Sequence, residues 1–252
     1  MVSSFYVVLP SNASSKIFKD NKLHTYKVQI PKLPSTEGEW VVGLTEISYP
    51  SIWPNIMDFG TVYVKWKDSE DPMDYPVPAG FYQSINKLLD RIKYTLSIGR
   101  SGVDNKLSFQ HDEISNRVIV FIEPGAEFEI CFSHNIATPL GFEGNKYYSP
   151  GANLAPYPAD IHDGCSALYV YSDIVQKRLV GDDMVPLLKV IPAEPIQTAL
   201  SHTWVRFVNV EYVPSVKTHI DTVEINIRRD NGQIIPFESG KVVITLHFKR
   251  VS

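Results

Sequence analysis

Cysteine is scarce in this chain: Cys131 and Cys165 are the only two among 252 residues. That excludes a disulfide-stapled scaffold. One bridge between them stays open, but two isolated cysteines read more readily as reduced core thiols. Long apolar runs are also missing, and none approaches the roughly 18 residues that a membrane span needs. The opening MVSSFYVVLPSN has no basic segment and a short apolar run, so no signal peptide is expected. The Asn12-Ala13-Ser14 sequon is then expected to go unused, in an intracellular product with reducing surroundings. Charge of one sign is lacking too. Lys and Arg number 24 against 28 Asp and Glu, a net charge of −4 that gives no pull towards nucleic acid or anionic membrane. The basic pairs Arg228-Arg229 and Lys249-Arg250, and the scattered Lys16, Lys19 and Lys22, read as solvated charge.

The usual chemical signatures are absent as well. The best metal candidate is DIHDGC, in which Asp160, His162, Asp163 and Cys165 lie close together. It has no H-x-H or C-x-x-C unit and reads as a solvated polar loop. The other histidines, among them His111, His134, His219 and His247, are not spaced as ligands on one strand face. There is no G-x-S-x-G, and Ser239 precedes a strand where a nucleophile elbow needs a helix. Gly240-Lys241 lacks the rest of a P-loop. The carboxylates Asp182-Asp183 have no pocket that sequence can show and read as a turn. Catalytic, cofactor-binding and metal-binding residues are therefore none, and neither an enzyme nor a small-molecule substrate is expected.

What the chain does have is strand periodicity. In the last stretch, Val223, Ile225 and Ile227 alternate with Glu224, Asn226 and Arg228, the period of a strand with one buried face. Asn231-Gly232 follows, a pair suited to a tight turn. After a second turn at Glu238-Ser239-Gly240, Val242, Ile244, Leu246 and Phe248 take one face, and Val243, Thr245, His247 and Lys249 the other. These two strands read as a terminal hairpin that needs a second sheet to cover it.

Upstream, strands are expected at Phe5 to Leu9, His24 to Ile30, Trp40 to Tyr49, Thr61 to Trp66, Leu107 to Phe109, Arg117 to Ile122 and Glu127 to Phe132. Ala167 to Asp173, Leu187 to Ile191 and Trp204 to Tyr212 complete the set. Trp40 to Tyr49 is nearly continuous in apolar residues and reads as a central strand. One helix is convincing, with Ile85, Leu88, Leu89, Ile92 and Leu96 as a single stripe and Gly99 as its stop. HNIATPLGF suggests a short helical turn. Residues 143–164 have no periodicity and read as a long ordered loop, of the kind that carries function. Eighteen prolines and thirteen tyrosines fit a loop- and strand-rich body. An apolar fraction of 44% with 21% charged residues allows a sizeable core. No linker and no βαβ alternation divide the chain. The fold class expected is all-β, an antiparallel β-sandwich with Greek-key or jelly-roll connections, one amphipathic helix and long loops.

Several blocks, in order, carry a family resemblance: FYVVLPSNAS, EWVVGLTEISYPSIWPN, PAGFYQSINKLLDRI, LGFEGNKYY, ALYVYSDIVQKRLVGDDMVPLLKVIP and VEINIRRDNGQIIPFESGKVVITLHFKR. Over nearly its whole length the chain resembles the minor capsid, or penton, proteins encoded by Polinton (Maverick) elements, the virus-like large DNA transposons. The resemblance implies a single jelly-roll capsid domain through 1–252. It also implies a homopentamer at the vertices of an icosahedral virion assembled inside a host cell, with a double jelly-roll major capsid protein as partner. No catalytic residue carries over. The loop from Glu143 to Gly164 is a candidate contact surface. The alternative is a carbohydrate- or protein-binding β-sandwich module of lectin type, with Trp53 or Tyr147-Tyr148 stacking on sugars; an aromatic platform for single-stranded nucleic acid would use Tyr169 and Tyr171. A cupin-type metal enzyme would need an inward histidine cluster that the sequence does not offer.

Overall fold

The computed structural model of the chain describes residues 3–31, 38–98, 102–162, 165–193 and 202–251. The expected helix stop at Gly99, and Asp163 of the DIHDGC segment, lie outside the described residues. In chain order the first strands are β1 (Ser4–Pro10), β2 (Thr25–Gln29), β3 (Trp40–Pro50), β4 (Gly60–Trp66) and β5 (Met73–Val77). Next come β6 (Leu107–Asp112), β7 (Arg117–Ile122), β8 (Phe128–Phe132), β9 (Tyr147–Tyr148) and β10 (Gly151–Leu154). The remainder are β11 (Ala167–Ser172), β12 (Arg178–Val180), β13 (Asp183–Val185), β14 (Leu187–Pro192), β15 (His202–Arg206), β16 (Tyr212–Pro214), β17 (Thr222–Arg229) and β18 (Val243–Arg250). Helix α1 (Ile85–Ser97) lies between β5 and β6, and α2 (His134–Leu140) between β8 and β9. The chain forms two compact units, Met1–Trp53 with Cys165–Ser252, and Pro54–Gly164.

The first unit is the sandwich. One sheet has the order β1-β18-β3-β15, with β16 also on β3; the other is β14-β11-β17-β2. Numbered along this unit, its eight principal strands run first-eighth-third-sixth in one sheet and fifth-fourth-seventh-second in the other. That is the jelly-roll order. The roll is complete without Pro54–Gly164, so the 1–252 span expected for one domain carries a second compact unit between β3 and β11. No linker betrays this in the sequence, because both units are built of alternating strands.

Strand alternation makes the core. Leu9, Val42, Leu44, Ile47, Ile244, Leu246 and Phe248 from one sheet join Leu168, Val170, Val223, Ile225 and Ile227 from the other in one buried cluster. Each such side chain contributes about 1.5–3 kcal/mol when fully buried. Phe5 stacks on Phe248 with ring centroids 4.8 Å apart. The Tyr26 hydroxyl donates to the Leu9 carbonyl at 3.1 Å, joining β2 to β1 between the layers. Burial drives that hydroxyl's pKa far upwards, so it remains a donor.

The closing strands correct the expected hairpin. Asn231-Gly232 does make a tight turn, with Gly232 at φ +80° and its N–H on the Arg229 carbonyl at 3.0 Å. The return is limited to a single bridge between Arg228 and Ile234. The chain then crosses the sandwich, so β17 pairs with β11 and β2, while β18 pairs with β1 and β3. Their apolar faces meet through the core rather than side by side. Alternation shows which face of a strand is buried but not which neighbour it pairs with.

Other differences are local. The stretch expected as the single strand Trp204 to Tyr212 is two, β15 against Glu46–Pro50 and β16 against Val41–Gly43. The β12–β13 hairpin was not foreseen, since only Asp182-Asp183 stood out there, as a turn.

The second unit has the sheets β5-β4-β8-β9 and β10-β7-β6 with both helices, around its own core. Ile85, Leu88, Leu89, Ile92 and Leu96 of α1 are buried as the stripe requires, and Ser84 caps the helix through the Lys87 N–H. Strand β5 is not among the strands expected from the sequence. It holds Pro76, which an edge strand tolerates. The long loop after α2 is in part strand: Tyr147-Tyr148 pair with β8 and Gly151–Leu154 with β7. Gly141 ends α2 at φ +78°, and a Cβ there would lie 2.1 Å from the Tyr157 carbonyl oxygen.

Ile244 is fully buried, between Leu9 on β1 and Ile47 on β3. Ile244→Pro removes a ladder donor from a central strand and should cost about 3 kcal/mol or more. The expected result is loss of the cooperative thermal transition of the roll, read by circular dichroism.

Candidate assembly surface

The sequence candidates for chemistry disperse. Among the described residues no group of three or more His, Cys, Asp or Glu could hold a metal ion. Asp160 instead closes a turn, accepting the His162 N–H at 2.9 Å. Cys131 is buried and Cys165 half-buried, and neither forms a disulfide. Gly240, before Lys241, takes φ +93° in a turn beside His202 and Pro50. No helix of the described residues is long and apolar enough to cross a membrane. Nor do the proposed sugar-stacking rings form a platform. Trp53 packs edge-on against Phe237 at 5.6 Å, and Tyr148 is buried against Phe132 and Phe142. Tyr147 alone of these is exposed.

What the roll does present is two ordered outer faces. On the sheet β1-β18-β3-β15, register sets Tyr6, His247, Gly43 and Tyr212 in one row. Tyr6 stacks on the imidazole at 4.3 Å and 12°. The Tyr212 hydroxyl lies 2.7 Å from His247 Nδ1. Gly43 makes room for this arrangement, since a Cβ there would stand 2.4 Å from Val210 Cγ1 and 3.0 Å from the Glu211 carbonyl oxygen. The next row is Val8, Thr245, Glu46 and Arg206, with Arg206 Nε 3.2 Å from Glu46 Oε1. A third row is Pro10, Val243, Ser48 and Trp204. Trp204 is 72% exposed and Tyr6 64%. Large rings held in register on a rigid sheet and left in water mark a surface suited to being covered.

The outer face of the sheet β14-β11-β17-β2 is different. Tyr169 and Tyr171 do stand together, with ring centroids 6.4 Å apart. Across from them on β17 are Arg228 and Asn226. Beside this pair the β12–β13 hairpin stands between two grooves of about 470 and 330 Å³. Its root is tied by an Arg178–Glu211 ion pair, by Arg178 Nη2 on the Leu188 carbonyl at 3.3 Å, and by Lys189 Nζ 3.3 Å from Glu211. The Arg178 hydrogen bond holds the Glu211 carboxyl below its usual pKa range.

Sequence reasoning passed over Trp204, yet a signal existed. Trp204 shares strand parity with His202 and Arg206, which belong in water, while Thr203 and Val205 have the opposite parity. The same test puts Tyr6 and Val8 outward, because Leu9 and Phe5 point to the core.

His247 is held neutral by partial burial and, secondarily, by nearby Lys249, both lowering its pKa from 6.5. A base whose folded pKa is depressed stabilises the fold in its neutral form above its unfolded pKa, and that contribution falls away as pH drops below it. An NMR titration of the imidazole should give a midpoint below 6.5. The stability difference between wild type and His247→Asn should narrow as pH falls through that window. Gly43→Ala should cost about 1–3 kcal/mol by overpacking and release Tyr212 from His247, which a thermal melt and the same titration would register.

No protein-family model and no curated protein sequence matches the chain. Solved structures do. The mavirus penton protein aligns over 99% of this chain and 100% of its own, with a TM-score of 0.51 at 11% identity. A chain from the structure of the Sputnik virophage aligns over 99% of this chain and 98% of its own, also with a TM-score of 0.51 at 11% identity. At this identity the likeness establishes architecture, and it extends through both compact units: the chain shares its fold, end to end, with the mavirus penton protein.

Proposed function

We propose that this chain is a minor capsid protein, a structural subunit that forms the homopentameric vertices of an icosahedral, Polinton-type virus-like shell. The observation that carries the reading is the end-to-end match to the mavirus penton protein, which includes the unit inserted between β3 and β11 and not the jelly roll alone. A lectin or an unrelated sandwich would be expected to match over the roll only. The alternative of a carbohydrate-binding module finds no support, because its candidate rings Trp53 and Tyr148 are engaged in packing.

The mechanism on this reading is geometric. A jelly roll with two unlike outer faces can meet a second copy head to tail, one face against the other, and such heterologous contacts close into a ring when the rotation between neighbours divides the circle. The apolar rows around Tyr6 and Trp204 supply the desolvation energy that such a contact needs. The double jelly-roll major capsid protein is the proposed partner around the ring, and the virion the proposed location. The role needs no nucleophile, metal or cofactor.

Multi-angle light scattering on the purified protein should report about five times the 28.5 kDa chain mass, at high concentration or with the major capsid protein present. A strictly monomeric species under every condition would overturn the reading.

A further inference from the structure

The β12–β13 hairpin is built as a projecting fin. Gly181 takes φ +62° at the first position of a two-residue loop, which suits a tight hairpin turn. Leu179 and Met184 face each other across the two strands, yet they are 69% and 57% exposed. Asp182 and Asp183 stand exposed at the tip. The root is fixed by the Arg178–Glu211–Lys189 cluster, so the fin is presented rather than loosely tethered. An ordered hairpin with its apolar pair in water and two carboxylates at its end is not explained by the stability of its own unit.

The outer face of the sheet β1-β18-β3-β15 has the matching character. Tyr6, Val8 and Trp204 supply exposed apolar area. The charge among them is mainly positive: Lys249 is exposed, and Arg206 is 81% exposed while paired to the less exposed Glu46. The fin's apolar pair and carboxylates and the face's Tyr6, Val8 and Trp204 are all left exposed in one roll, so neither covers the other there. They can meet between two copies. Such a contact is heterologous and leaves each copy with one fin and one face to offer, so it propagates around a ring.

We propose that the β12–β13 fin docks on the β1-β18-β3-β15 face of a second copy of this chain, with Leu179 and Met184 against Tyr6 and Val8, and Asp182 and Asp183 turned towards Lys249 and Arg206. The inference rests on the vertex reading and names the surfaces that would build it. Charge complementarity of this kind steers the encounter and fixes which side meets which, and the apolar pair excludes water behind it.

The test is a charge swap in the full chain, read by light scattering across a concentration series, with a thermal melt to check folding. All four positions are exposed, so each variant should melt as wild type does. D182K/D183K should raise the concentration for half-assembly by about tenfold or more, because it sets like charges together. R206E/K249E should do the same. The quadruple variant D182K/D183K/R206E/K249E restores opposite signs with the polarity reversed and should recover assembly. L179S/M184S, which leaves every charge in place, should also weaken assembly. Pentamers that survive D182K/D183K, or that fail to return in the quadruple variant, would overturn this contact while leaving the vertex reading intact. Absence of pentamers from the wild type under every condition would take down both.

Discussion

The roll depends on the contact between two strand faces that never hydrogen-bond to each other. Val223, Ile225 and Ile227 of β17 lie in one sheet, and Ile244, Leu246 and Phe248 of β18 in the other, all fully buried in one cluster. Hydrogen bonds fix each sheet internally, but nothing in a ladder holds two sheets together. That task falls to the removal of apolar area from water. The arrangement also frees the opposite faces of the same strands. His247 and Thr245 look outward because Leu246 and Ile244 look inward, so the inner packing sets the outer pattern of rows.

This coupling explains how much could be read in advance. Every strand that alternates cleanly is present, from Phe5–Leu9 to Val242–Lys249, because a period of two follows from burial of one face. The stripe of α1 was legible for the same reason. Pairing was less accessible. Asn231-Gly232 is a good turn signal, and it does turn the chain, but only one bridge follows before the chain crosses to the other sheet. Elements fixed by neighbours rather than by their own pattern were missed. Strand β5 carries Pro76 and is stabilised by β4, while β9 and β10 are too short to show a period and are held by β8 and β7.

The surface was legible in part. Absence of motifs excluded familiar chemistry, and the half-buried tyrosine pair of β11 does share one face as its spacing implies. The rows of Tyr6, His247 and Tyr212 needed three-dimensional register, since these residues are drawn together from β1, β18 and β16 over the gap left by Gly43. The fin needed more still: Leu179 and Met184 are ordinary apolar residues in sequence, and only their exposure makes them notable.

The position of β18 has a consequence for biosynthesis. It comes after every other strand in chain order, yet it sits between β1 and β3. Until residues 243–250 have left the ribosome, those two early strands have no common neighbour, and their apolar sides must wait uncovered or in the care of a chaperone. The contiguous segment 54–164 is under no such delay, so maturation should proceed from the inserted unit outwards, with the roll sealed as a single late event.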